Sequence, residues 1–585
     1  MDKNIRIRKI SSKDIIGCLF IAISFLMLIN SIRLCLSSDI WYDELFTMGM
    51  VEHSYGELIN FTARDVHPPL YYIIAKFVLD LCKLIFPLAD NIVIVKIVSV
   101  LPYFLLLFYA VTFLRKRFGI FVSGVFMFCI LTMPQLSAYT VEMRMYGWAL
   151  FFVTATFFYA YAIVCPDITD VNIDSHKDGV KHWSIGNSGI WTHRVKSYSA
   201  KNYVAIVLYG LAAAYTQYFA CIAVIMVYLY LLISSIMQYK AKASINNSSG
   251  IKALKCWGIC VVISIIGYLP WLFVLMAQIS AIRDNYWILP LTWRSIGGCV
   301  KFLMKPVFGH EWINVAFAIS LFAIYVVLLA AYGFSVLHRN KISINNNQDK
   351  IGKIPVDNKI ATFFYAFSGC LVLCGLVSFG FIASIVIRPI FVYRYMLPAI
   401  GCFWLCFVLC LDNLCQKSDS VHIEHNDKKK KELFRAVSFY IIVVIILITG
   451  IIDYRVFTGE EKYRAGLMRE TELAFSDIEE TDIILYNFDQ LQAVCGYYIN
   501  QENYLWNGLP EQLITDMFGN KGSIQDVAAI KEWLSEGRTV WFFGSFNSRE
   551  DIRDEWARDG IDTKEIGSYM LERYWFNIYK VQFEY

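Results

Sequence analysis

The feature that most limits what this chain can fold into is the recurrence of long, uncharged apolar runs. Crossing ~30 Å of hydrocarbon at ~1.5 Å per residue takes roughly 20 apolar residues in a helix. Eleven segments meet or approach that length, at 15–36, 92–114, 118–135, 145–164, 203–217, 218–238, 256–278, 313–336, 361–387, 396–413 and 436–453. In lipid, such segments satisfy their backbone as a helix bundle. Of the 585 residues, 57% are hydrophobic and 17% charged, against roughly 45–50% and ~25% in soluble domains. These values point away from a soluble enzyme, a disordered chain or a disulfide scaffold. The net charge of +4 gives no reason to expect a nucleic-acid partner. Many of the 16 cysteines, Cys18, Cys129, Cys260 and Cys410 among them, sit inside apolar runs, where a thiol acts as a small hydrophobe. The chain reads as a multi-pass α-helical protein of the cell membrane.

Basic residues orient it. With the N-terminus placed in the cytoplasm, the N-terminal segment and the inner loops at 115–117, 165–202, 239–255, 337–359 and 414–435 carry 28 Lys and Arg. The outer loops at 37–68, 136–144, 278–312 and 387–394 carry 8, as the positive-inside rule requires. The first apolar run is too long for a secretory signal core and is followed by no small-residue cleavage site, so it reads as a retained span. Segment 69–88 is long enough to cross, yet a crossing there would reverse every later loop. It is therefore expected as an outer-leaflet or re-entrant helix opened by Pro68–Pro69.

After Asp453 the composition changes. Thr481–Phe488, Arg538–Phe546 and Met570–Val581 read as strands, and Gln525–Gly537 and Arg549–Gly560 as amphipathic helices. The expected division is a membrane domain at 1–453 and a small extracytoplasmic α/β domain at 454–585. The latter shows no phosphate-binding glycine loop and no metal-ligand spacing.

Charges at a membrane boundary that no orientation rule explains are functional candidates. Three clusters qualify. In the first outer loop, Ser38–Asp39–Ile40–Trp41–Tyr42–Asp43–Glu44–Leu45 is followed by Arg64–Asp65–Val66–His67–Pro68–Pro69–Leu70–Tyr71–Tyr72. Adjacent carboxylates there can deprotonate a hydroxyl or hold a metal, and His67 can donate to a phosphate. The bland alternative is a solvated loop with an aromatic belt. The second cluster is Glu142–Met143–Arg144–Met145–Tyr146, whose acid and base can form a structural bridge or bind a phosphate. The third, Arg388 to Pro398 with Arg394 and Tyr395, sets two guanidiniums among aromatics on the side where cations are scarce; an anionic partner such as a lipid phosphate fits them.

Taken in order, D-E after the first span, D-x-H-P-P-L-Y-Y, E-x-R-M-Y, Y-T-x-Y-F (Tyr215–Phe219, with Gln217) and R-Y-x-L-P resemble the GT-C glycosyltransferases. The likeness is closest to bacterial relatives of the protein O-mannosyltransferases and aminoarabinose lipid A transferases, and it covers about residues 15–413. It implies transfer of a sugar from a polyprenyl-phosphate donor, at the extracytoplasmic face, to a protein, lipid or glycan acceptor. On that resemblance Asp43 is the general base, with Glu44 and Asp65 as the other catalytic acids. His67, Glu142, Arg144, Tyr146, Arg388, Arg394 and Tyr395 bind substrate. Gln217 stands where related chains often carry His, and Val66 where the aminoarabinose branch has an acid.

The chemistry needs a base and cations for the departing phosphate but no nucleotide fold. Displacement is inverting, and a divalent metal is compatible with the acids, though no ligand spacing names one. The central spatial expectation is that Asp43, His67, Arg144 and Arg394 gather on one face. A transporter or flippase of lipid-linked sugars, a polysaccharide polymerase or ligase, and a scaffold presenting the tail are the competing readings; a transporter would place its polar groups at the midplane.

Overall fold

The computed structural model describes residues 11–37, 40–133, 136–165, 200–242, 248–282, 288–345, 356–414, 425–498, 501–509, 512–519, 522–571 and 574–584. Asp39, residues 1–10 and much of the expected inner loops 165–202, 239–255, 337–359 and 414–435 lie outside them.

Among the described residues, nine helices are long and apolar enough to cross a membrane: Ser12–Cys35, Asn91–Phe118, Tyr146–Val164, Tyr218–Met237, Ile251–Ser280, Glu311–Leu337, Ile360–Val386, Tyr393–Leu414 and Lys429–Phe475. They coincide with nine of the expected spans, and the chain is a multi-pass membrane protein. The two remaining expectations, 118–135 and 203–217, are the shorter apolar helices Ile120–Thr132 and Ala200–Ala214. Gly119, at φ 93°, separates Ile120–Thr132 from the basic turn Arg115–Phe118, and extended Met133 ends it. The last helix also departs from expectation. It runs unbroken from His425 to Phe475, past the anticipated end at 453, because no proline interrupts it.

The chain divides into two compact units. The first comprises Met1–Ile29, Leu101–Thr140 and Met145–Tyr454 and holds most of the apolar helices. Tyr146–Val164 and Leu397–Leu414 are buried on nearly every face, as expected of helices that are apolar all round. Small residues set the closest crossings. A Cβ on Gly17 would lie 2.5 Å from the carbonyl oxygen of Ile120, and one on Gly124 would meet the carbonyl of Gly17. Helices Ser12–Cys35 and Ile120–Thr132 therefore touch backbone to backbone, the packing that membranes favour.

The second unit comprises Asn30–Val100, Val141–Arg144 and Arg455–Tyr585. Three helices follow the first span: Tyr42–Val51, Tyr55–Arg64 and Leu70–Ile85. The last has 16 residues, begins directly after Pro69 and buries Tyr71, Tyr72, Ala75, Lys76 and Leu79 along one face.

The rest of this unit is a six-stranded sheet with flanking helices. Strands β1 (Ile483–Tyr486), β2 (Glu502–Trp506), β3 (Ser523–Ile524), β4 (Val540–Gly544), β5 (Ile561–Leu571) and β6 (Tyr574–Phe583) are ordered β3-β2-β1-β4-β6-β5. β1 pairs in parallel with β2 and β4, and β2 with β3; β6 runs antiparallel to β4 and β5. Leu485, Trp506, Phe542, Trp556 and Tyr579 share its core. Helix Gln512–Phe518 reaches back to Tyr42–Val51: a Cβ on Gly49 would lie 2.5 Å from the Phe518 ring, and Arg64 pairs with Asp516 at 2.6 Å.

Candidate active site

Helix Tyr42–Val51 builds the site in the second unit. Trp41 precedes it in extended backbone (φ −127°, ψ 170°) as the N-cap residue. Asp43 and Glu44 then fall in the first helical turn, where the unsatisfied N–H groups and the helix dipole favour negative charge. The two neighbours take different surroundings. Asp43 keeps a side chain 20% exposed, whereas Glu44 is 3% exposed.

Arg144 comes to Asp43 from a hundred residues away. Its Nη1 donates to the Asp43 carbonyl oxygen at 3.0 Å, and Nη2 lies 3.8 Å from Asp43 Oδ2. The guanidinium is almost fully buried, with 4% of the side chain exposed, so the charge–charge interaction is little screened by water. Glu142 is half-buried, and its carbonyl accepts the Arg144 N–H at 2.7 Å.

Asp65 sits at the C-cap of helix Tyr55–Arg64 in extended backbone. Its Oδ2 lies 2.8 Å from His67 Nδ1, both side chains being largely enclosed. Two residues on, Pro69 caps helix Leu70–Ile85. Tyr71 is held by Ser99, Oη to Oγ 3.3 Å, and meets the Tyr72 ring edge-on at 5.2 Å. Tyr72 is fully buried, and its hydroxyl finds no hydrogen-bond partner among the described residues. Burial pushes its pKa up, so it stays a donor, within electrostatic reach of Arg144, Asp65 and Asp43.

Six of the ten expected site residues, Asp43, Glu44, Asp65, His67, Glu142 and Arg144, thus belong to this one unit. Tyr146, Arg388, Arg394 and Tyr395 belong to the first. There the Arg394 guanidinium stands 5.9 Å from the centre of the Tyr146 ring, within cation–π range. Tyr395 stacks on Phe219 at 4.8 Å. Arg388 is half-buried at the start of a turn that Ser384 Oγ fastens through the amides of Ile390 and Phe391. Gln217 is buried, and neither of its amide atoms has a partner among the described residues. As for metals, no cluster of three or more His, Cys, Asp or Glu side chains forms among the described residues; Asp65 and His67 offer a pair of donors.

Two residues that sequence reasoning passed over stand beside the acids. Lys96 reaches Glu44, and Tyr72 lies within electrostatic reach of Asp43, Asp65 and Arg144. Lys96 is a lone charge in an otherwise apolar span, the signal by which it could have been found. Tyr72 closes the D-x-H-P-P-L-Y-Y motif, where no role is assigned to it.

The described residues thus hold nine membrane-type helices, an acid–arginine pair after the first of them and a C-terminal α/β sheet. Among solved structures, the chain is similar to ArnT from Cupriavidus metallidurans in the apo state, with a TM-score of 0.51 and 10% identity over 96% of this chain and 97% of that one. It is equally similar to ArnT from the same organism bound to undecaprenyl phosphate, with a TM-score of 0.50 and 12% identity over the same shares. At such identities the likeness is one of fold, and it agrees with the fold expected from the motifs. No family model matches the sequence, and no curated protein matches it.

Proposed function

We propose that this chain is a membrane glycosyltransferase that moves a sugar from a polyprenyl-phosphate donor to an acceptor at the extracytoplasmic face of the cell membrane. The observation that carries the reading is the Asp43–Arg144 pair at a helix N-terminus in a chain with the fold of ArnT. That one ArnT structure holds undecaprenyl phosphate supports the choice of carrier. The excess of basic residues in alternate loops supports a cytoplasmic N-terminus and an extracytoplasmic C-terminal domain.

In this reading Asp43 takes the proton of the acceptor hydroxyl. That oxygen attacks the anomeric carbon while the bond from this carbon to the phosphate oxygen breaks, and the electron pair leaves with the carrier phosphate. The anomeric centre inverts. Arg144 stabilises the charge that gathers on the phosphate, in surroundings too dry for water to do so. With Nδ1 turned to Asp65, His67 presents Nε2 to the substrate, as an acceptor in the neutral ring and as a donor in the protonated one. Tyr146, Arg388, Arg394, Tyr395 and Glu142 are assigned to substrate on the motif resemblance.

Asp43→Asn tests the assignment, because it keeps the shape of the side chain and removes the base. Transfer by the purified, reconstituted chain should fall by a factor on the order of 10²–10⁴, with the donor still bound. Transfer near the wild-type rate would contradict it.

A further inference from the structure

Lys96 and Glu44 form a buried ion pair that none of these roles uses. Lys96 lies in the second turn of the span Asn91–Phe118 and is 1% exposed. Its Nζ stands 3.7 Å from Glu44 Oε1. That same oxygen accepts the Met143 N–H at 2.7 Å, and Glu44 Oε2 accepts the Trp41 N–H at 3.1 Å. On the other side of Met143, its carbonyl accepts the Thr47 hydroxyl at 2.8 Å. Met143 is therefore gripped at both its amide and its carbonyl by helix Tyr42–Val51. The next residue is Arg144, whose guanidinium rests on Asp43.

We propose that Lys96 is a positioning residue: by pairing with Glu44 in the interior it holds that carboxylate on the Met143 amide, and so fixes Arg144 on Asp43. Glu44 then acts as a clamp rather than in proton transfer, since both its oxygens are engaged and little of it is open to a substrate. Stability alone is a poor reason for such a pair, because well-packed apolar residues usually serve as well in its place. What the pair adds is direction: an apolar residue at 44 would leave the Met143 and Trp41 amides without their acceptor. Removing Lys96 strands a buried carboxylate and loosens its grip on 141–144, while leaving Asp43 and Arg144 chemically intact.

The kinetic consequence rests on the transferase reading, but the geometric one does not. The full chain in lipid nanodiscs is therefore measured in two ways, for Lys96→Met, Lys96→Arg and the double variant K96M/E44Q. Hydrogen exchange of the peptide covering Val141–Met145 should speed up at least tenfold in Lys96→Met. In a transfer assay kcat should drop by a similar factor, with the KM for donor changed less than threefold. Lys96→Arg, which keeps the charge, should restore most of both. The double variant removes the stranded charge and is expected to fold even where Lys96→Met does not; it should still show fast exchange and low kcat. Wild-type exchange at 141–145 in Lys96→Met, or in the double variant if only that folds, would overturn the clamp. Fast exchange with undiminished kcat would overturn the positioning role. If the wild-type chain transfers no sugar at all, the transferase reading fails while the exchange result still decides the clamp.

Discussion

Tyr72 combines complete burial with a hydroxyl that meets no partner among the described residues. A buried polar group left in that state costs about 1–3 kcal/mol, which a phenylalanine would avoid. Its neighbours by charge are Arg144, Asp65 and Asp43, the groups assigned to the reaction, so its partner is expected to be substrate. Tyr72→Phe should melt no lower than wild type and yet lose transfer on the order of tenfold; a scanning melt and a rate measurement on the same preparation check both. A lower melting temperature with full activity would make the hydroxyl structural. At this scale the acids were legible because charge beside a span is costly and therefore conspicuous. What the sequence concealed was partnership. Arg144 stands two residues from Glu142, a spacing that offers a local bridge; its guanidinium also meets Asp43, and nothing local in 141–146 announces that contact. The partner of Lys96 was equally hidden, since it lies across a loop and two helices.

Helices were the readable elements, because lipid demands length and apolarity of each one separately. Their crossings were not, since a glycine in an apolar run looks alike whether it faces lipid or another backbone. Gly258 has open space where its Cβ would be, whereas Gly124 has the carbonyl of Gly17. Gly124→Leu should therefore drive helices Ser12–Cys35 and Ile120–Thr132 apart and destabilise the protein by about 1–3 kcal/mol or more, seen as a lower melting temperature in detergent. Gly258→Leu should leave the melt unchanged. In the C-terminal sheet, β1, β4 and β6 were found because each combines an apolar face with a clear turn. β2 opens on the polar Glu502 and Asn503, β3 has only two residues, and β5 carries the exposed Asp562, Lys564 and Glu565 on the sheet edge, so their patterns resembled loop. The expected strand Met570–Val581 in fact straddles the end of β5 and most of β6.

For the whole molecule, composition marks a boundary near 453, and packing adds what composition cannot. The unit that contains Arg455–Tyr585 also takes in Asn30–Val100 and Val141–Arg144, so the α/β sheet shares a compact body with the helix that bears Asp43. The Gly49–Phe518 approach is part of that body, as is the exposed Arg64–Asp516 pair, which water screens and which adds little to stability. The proposed reaction breaks a sugar–phosphate bond, whereas a flippase would move the intact lipid across the bilayer. Proteoliposomes containing the full chain, a polyprenyl-phosphate donor labelled in its sugar, and cell-envelope acceptor material separate the two. Transfer predicts that polyprenyl phosphate is released in step with label entering the acceptor, and that Asp43→Asn stops both. Labelled donor changing leaflets with its sugar–phosphate bond intact, at the same rate in wild type and Asp43→Asn, would contradict it.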